Sequence, residues 1–556
     1  MPFEFLEDLE VGEPIKFDPL VVHPLYADMA DEWEKCRDCY GGEKSVKSKG
    51  TKYLPMLNAQ SESEYEKYKM RAQFYGATSR TVEAYLGMIF RKPVTFKAQY
   101  NGEGSMELNK FITRFLNNLT VDSKNINEFA HQVTEELIVT NRLGVLLDMP
   151  RVDDDLSIYE YEERGIRPTL SMYRAENILN WFTIKENGED LPILYVLYEP
   201  YQGFKKNTFE SEMIDGYRIL YLENWQDPEN RRYKNIRLKA KNRLVGDAGP
   251  ISVDSIDYPT NNGRYFRHIP FYVLSDQGLD YERVRQPMIS DLANVNIGHY
   301  RNSADLENEL HFVSLKTIAY PAWDTKTYGQ PKVGGAIATP KDAIPVLLEP
   351  TSDSSIREEM TLKEARLAVL GAERISQKQR YLPSASVAEI TASAEASVIQ
   401  NFLTSLNQAL NRIIHDAIEW ARPFWPEYSQ GELELDIQVN TDLAENSLSG
   451  ADLVNFIRAF QMGGISLDTL FYNLDRREMY PPGWTKEKEW GALLKTRDTV
   501  LTEAMQDIVA GKTENHFFSE GPEGSEGEEG RQTASSGRGE DVTVTEIGTT
   551  SRVRSS

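Results

Sequence analysis

Cysteine and histidine are scarce in this chain. Cys36 and Cys39, spaced C-x-x-C, are its only cysteines among 556 residues, and its seven histidines (His23, His131, His268, His299, His311, His415 and His516) are spread over its whole length. A C-x-x-C can serve redox or zinc chemistry, but EKCRDCYGG has no second pair and only His23 in its neighbourhood. Two reduced cytoplasmic cysteines near a helix end are the simpler expectation. The histidines form no H-E-x-x-H and no pairing with carboxylates at metal spacing, which points to structural roles. A G-x-S-x-G nucleophile elbow is missing, and no glycine-rich dinucleotide fingerprint follows a strand. No run approaches 18 apolar residues, so no membrane-spanning helix is expected. The acidic start MPFEFLEDLE precedes no apolar segment of the kind a secretory signal needs.

Positive charge is also in short supply. Lys and Arg number 62 against 86 Asp and Glu, a net charge of −24. A protein that grips DNA tightly carries a basic footprint to neutralise phosphates. This chain either leaves nucleic acid alone or surrounds it without holding it; a negative bore would let a polyanion slide. The apolar share of 40% and charged share of 27% are those of a soluble protein, and the length suits two to four domains. The many carboxylates guarantee coincidental spacings, so counting does not exclude a two-metal nuclease. Nothing gathers His, Asp and Lys into one cleft, however, and an enzyme is the weaker class.

What is present is regular patterning. Apolar periodicity predicts helices over Pro24 to Cys39, Glu62 to Phe90 as one continuous helix, Leu108 to Leu119 and Ile126 to Thr140. Strands are expected at Val94 to Ala98 and Leu143 to Asp148. Gly41 to Gly50 (GGEKSVKSKG) departs from the phosphate-loop pattern and reads as a solvated loop. Between Ala175 and Ala240, the runs WFTI, ILYVLYE, GYRILYLEN and YKNIRLKA are separated by turn residues and predict an antiparallel sheet. One more strand spans Arg267 to Val273, with Pro270 best placed at an edge or a strand end.

The chain is organised around Pro287 to Pro423. A helix from Pro287 to Leu310 is followed by a short segment with three candidate strands, in VSLKTIAYPAW, GGAIA and IPVLLE. A second helix covers Ile356 to Leu370. The third, Ala388 to Ala421, has Val398, Phe402, Leu406, Leu410, Ile413, Ala417 and Trp420 on one face and ends at Arg422-Pro423. It would be roughly 50 Å long. The linker before it, Gly371 to Ser386, carries Arg374, Lys378 and Arg380; it is either a surface loop or a loop whose cations meet phosphates in a pore. Leu433 to Val439 reads as a strand. Helices are expected near Ser449 to Met462, Leu467 to Asn473, Trp484 to Arg497 and Glu503 to Val509, and the Gly, Ser, Thr and Glu-rich tail from Gly511 reads as disordered.

This order of elements resembles the portal proteins of tailed bacteriophages. The phrases that carry the likeness are Phe90-Arg91-Lys92-Pro93-Val94, then Tyr173-Arg174-Ala175-Glu176-Asn177-Ile178-Leu179-Asn180-Trp181. A third runs from Ile269-Pro270-Phe271 through Pro287 to Asn296, Tyr300, Arg301, Ser303, Leu306, Asn308 and Leu310. The resemblance spans roughly residues 20–480 and implies an α+β, multi-domain portal fold that assembles as a ring, usually of twelve subunits. It implies a wing (1–286), a first stem helix (287–312), a small α/β clip (313–355) and a second stem helix (356–370). A channel loop (371–387), a long wing helix with a strand (388–440), a helical crown (441–510) and a disordered acidic tail (511–556) complete it.

The implied function is the channel at one capsid vertex through which terminase packages double-stranded DNA and through which the DNA is later ejected. The implied partners are other copies of the chain, DNA held without sequence preference, the terminase large subunit, the major capsid protein and scaffold, and head-completion, adaptor and tail proteins. No membrane, cofactor, metal or catalytic residue is implied. The setting is the virion, after assembly in the host cytoplasm. The DNA-facing candidates are Lys363, Arg366, Arg374, Lys378 and Arg380, although Lys363 and Arg366 equally suit ion pairs on their own helix, such as Glu359 with Lys363. The alternatives are another connector or capsid-associated ring without a packaging role, and a metal-dependent nuclease built on the 175–273 sheet.

Overall fold

The computed structural model describes residues 3–441 except 59, 102–105, 150–162, 205–207, 241–250, 262, 315–316, 322–335, 340–343, 349–353, 372–384 and 422–431. Beyond 441 it describes only scattered positions between 458 and 495. The chain divides into two compact units, residues 1–444 and 445–556. The expected helices after Ser449, and the tail, lie outside the described residues apart from those scattered positions.

Helix α1 (Pro24–Gly41) begins with proline in its first turn, where a missing N–H costs nothing, and its N-cap is His23. Residues 43–48, expected as loop, form the short helix α2 (Glu43–Ser48). Its Val46 is fully buried with Cys36, Cys39, Tyr53 and Leu54, a contact that a run of charged and glycine residues conceals. The single helix expected from Glu62 to Phe90 is two, α3 (Glu62–Arg71) and α4 (Ala77–Ile89). Ala72 leaves helical geometry, and Gly76 caps α4. The break is pinned from outside: the Ser303 hydroxyl accepts from Gln73 N–H at 2.9 Å and donates to the Gln73 carbonyl at 2.7 Å.

Next come strand β1 (Thr95–Asn101), helices α5 (Met106–Leu116) and α6 (Ile126–Thr140), and strand β2 (Leu143–Asp148). Helix α6 opens on a reciprocal Asn125–Glu128 capping box and closes on Asn141 in the left-handed region. Twelve strands follow: β3 (Thr169–Arg174), β4 (Ile178–Glu186), β5 (Glu189–Tyr198), β6 (Tyr201–Phe204), β7 (Ser211–Ile214), β8 (Gly216–Glu223), β9 (Arg232–Ala240), β10 (Ile251–Asp257), β11 (Thr260–Asn261), β12 (Arg264–Tyr265), β13 (Phe271–Ser275) and β14 (Gly278–Leu279).

The antiparallel sheet predicted from four runs gains a fifth strand, β10, beyond the expected span, and its order is β10-β9-β8-β5-β4. A second sheet runs β14-β13-β2-β3. Pro270 sits just before β13, at a strand end as expected, and its carbonyl accepts from Leu147 N–H. Gly144 on β2 is needed for a close approach, because a Cβ there would meet the Phe271 ring at 2.2 Å.

Three further helices follow: α7 (Ser290–Val313), α8 (Ser355–Gly371) and α9 (Ala385–Ala421). Between α7 and α8 lie β15 (Thr317–Pro321), β16 (Ala336–Thr339) and β17 (Val346–Leu348), one in each segment expected to hold a strand. They form a small mixed sheet, β16-β15-β17, with β15 parallel to β16 and antiparallel to β17. Strand β18 (Glu432–Gln438) pairs antiparallel with β1. The architecture is therefore α+β. One core joins α5, α6, β2, β13 and α9; another lies around the five-stranded sheet; a third packs α1, α3 and α4 on α7.

Candidate nucleic-acid interface

Helices α7 and α8 are antiparallel. Leu292 clusters with Leu367, whereas further along α7, Gly298 lies against Lys363 and His299 Nε2 is 3.2 Å from Glu364 Oε1. Residue numbers rise on one helix as they fall on the other. The first part of α7, from Ser290 to Ala304, is anchored in the helical core. Anchoring bonds run from Arg301 Nε to the Tyr53 carbonyl (2.8 Å), Tyr68 O–H to Asp305 (2.6 Å) and Arg71 to Asn308 (3.0 Å). Beyond these, Phe312 is exposed and the chain enters β15.

Among the described residues, helix α8 is covered on one side only. At about 100° per residue, Ile356, Met360, Leu367 and Leu370 share one face. Leu362, Ala365 and Val369 share the opposite face, with Glu358 and Arg366 beside them. Leu367 is buried, whereas Leu362 and Val369 are 54% and 53% exposed. A helix apolar on two faces buries both only where something packs on each side. The same lack of one-sided periodicity is visible in the sequence IREEMTLKEARLAVLG.

The cations named from sequence fall in different settings. Lys363 is turned toward α7: Nζ donates to the Gly298 carbonyl at 3.3 Å and lies 3.6 Å from Glu359, the same-helix partner considered for it. Arg366 is exposed and has no ion-pair partner among the described residues. Arg374, Lys378 and Arg380 lie outside the described residues.

Helix α9 starts three residues earlier than expected and is about 55 Å long. Its apolar face buries Phe402, Leu406, Leu410, Ile413, Ala417 and Trp420 as the periodicity predicted. Sequence reasoning missed a polar pair on this helix. Asn411 both donates to the Ile437 carbonyl (2.8 Å) and accepts from Ile437 N–H (2.9 Å), and Asn407 Oδ1 accepts from Val439 N–H (2.8 Å). The i,i+4 asparagines thus act as a surrogate strand edge for β18. At the junction of α4, α7, α8 and α9 an apolar cavity is lined by Tyr85, Ile289, Leu292, Leu370 and Phe402 among others.

The histidines and cysteines are embedded in packing. Cys36 and Cys39 are fully buried on α1; burial pushes the Cys36 thiol up to about 12 and raises Cys39 as well. Burial lowers the pKa of His268. Among the described residues, no group of three or more His, Cys, Asp and Glu side chains is placed to hold a metal ion, and no helix is long and apolar enough to cross a membrane.

Residues 287–421, from the approach to α7 through the end of α9, match a domain of unknown function, DUF4055, a domain found in phage-type proteins. None of the curated proteins matches the chain.

Proposed function

We propose that this chain is a portal-type subunit, many copies of which close side by side around a hole that passes double-stranded DNA without altering it chemically. The observation that carries this reading is α8, whose apolar stripes face opposite ways while the described residues cover only one of them. A head-to-tail ring supplies the missing partner from the next subunit. The arrangement around α8 supports the same reading. A small sheet is inserted between two antiparallel helices that lead to a very long third one, and this whole span matches a domain found in phage-type proteins. In this reading α7 and α8 form the stem, β15–β17 the clip that faces terminase and later the head-completion proteins, and residues 371–387 the channel loop. Residues 1–286 and 388–440 form the wing, and 441–510 the crown.

The net charge of −24 fits a bore that lets DNA slide. Arg366, Arg374, Lys378 and Arg380 are the cations proposed to touch phosphates, contacts that position DNA without reading its sequence. Lys363, held by Gly298 and Glu359, supports the helix pair instead. Electron microscopy of the purified chain tests the proposal. Closed rings with an axial opening of roughly 20 Å or more, wide enough for a duplex, are expected. Single particles, or closed assemblies without an opening, would overturn it.

A further inference from the structure

The five-stranded sheet has two edge strands, β10 and β4, and the N-terminal arm touches both. Gly12 N–H donates to the Val253 carbonyl at 2.8 Å and Ile15 N–H to the Ile251 carbonyl at 2.9 Å along β10. Along β4, His23 N–H donates to the Leu179 carbonyl at 2.9 Å, and Asn180 Nδ2 donates to the Val21 carbonyl at 3.0 Å. Edge strands left bare invite pairing with another chain, so the arm acts as a guard. The β10 end is further secured by Lys234, whose buried Nζ donates to the Leu6 carbonyl at 2.8 Å. The β4 end rests on His23.

We propose that His23 is a proton-operated latch: neutral, it clamps residues 21–25 and the first turn of α1 onto the β4 edge, and protonated, it lets them go. Three features of its position act against a charge there. Its Nδ1 accepts from Leu25 N–H at 3.2 Å as the cap of α1, and a protonated Nδ1 has no lone pair left to accept with. It stands at the N-terminus of an 18-residue helix, the positive end of the helix dipole. Its ring stacks on the Trp181 indole, centroids 4.0 Å apart, and that indole already carries the guanidinium of buried Arg142, 4.2 Å from the ring centroid.

The other groups nearby give a proton little help. Tyr26, on the same helix, points its hydroxyl at the Glu176 carbonyl, and the Glu176 carboxylate is taken by Arg37. Burial, with Arg142 second, lowers the pKa of His23, in keeping with this geometry.

Hydrogen exchange of the full chain, compared as protection factors at about pH 7.5 and about pH 5, tests the latch. In the unaltered protein, acid should cut protection over residues 20–28 by about tenfold, while residues 4–15, held by Lys234 and β10, keep theirs. His23→Asn supplies a capping oxygen that does not titrate, so the variant should keep its protection at both pH values. Unchanged protection in the unaltered protein overturns the proposal, as does an equal acid loss in the variant. If His23→Asn frees the segment at both pH values, the ring and not its charge holds the arm, and the latch is wrong. Loss confined to residues 264–275 and α9 would trace the pH response to His268 instead, and would also overturn it.

Discussion

Cys36 and Cys39 show how burial decides what a side chain can do. Thiol chemistry needs the thiolate, and both groups lie where the charged form is disfavoured, with no solvent at hand. At pH 8 neither should react with a soluble alkylating reagent in the folded protein, whereas both should react promptly in denaturant; mass spectrometry of the alkylated chain reads this directly. The lowered pKa values of His23 and His268 act on stability in one direction. The unfolded chain binds a proton more tightly at each position than the folded chain does. Their contribution is therefore complete above the ordinary histidine value near 6.5 and is lost progressively as the pH falls below it. Denaturant titrations at neutral and mildly acidic pH should show stability falling over that window.

Among the elements, the α3–α4 break is the place where a neighbour overrides local preference. The run from Glu62 to Phe90 has the period of a helix, yet Ser303 on α7 takes both backbone groups of Gln73 and holds the chain out of it. Ser303 is buried, so Ser303→Ala leaves the Gln73 N–H and carbonyl without these partners. The substitution should destabilise the unit by about 1–3 kcal/mol, measured by chemical denaturation. A result near zero would mean that Ala72 and Gly76 alone set the break. The pairing of β1 with β18 follows the same logic from the other side, since a lone two-stranded ribbon is marginal and Asn407 and Asn411 of α9 fix β18 in place.

For the whole molecule, the exposed stripe of α8 is the feature on which the proposed assembly turns. Leu362→Asp together with Val369→Asp places two charges where the proposed neighbour packs. The single chain should stay folded, with an unaltered circular-dichroism spectrum, because both positions are exposed in it. Ring formation, followed by sedimentation velocity, should be lost; rings that persist would move the subunit contact elsewhere. Replacing Arg374, Lys378 and Arg380 together by alanine should spare the rings and weaken DNA retention, most visibly at low salt. If retention and packaging are both unchanged, these side chains do not meet DNA.

The sequence by itself determined most elements. Periodicity marks which face of a segment is buried, and turn residues mark where it must stop, so α6, β2, four of the five strands of the large sheet, the three-stranded insert and helices α7, α8 and α9 were legible in it. The edge strand β10 was not. A pattern of apolar residues does not say what lies against it. The α3–α4 break, the burial of Val46 on α2, the turn of Lys363 toward Gly298 and the asparagine contacts to β18 each depend on a partner distant in the chain. The stacking of His23 on Trp181 beside Arg142 belongs with them. Only tertiary structure settled these, because a backbone N–H or a charged side chain is satisfied by whichever group the fold brings within about 3 Å, and local sequence carries no record of that group.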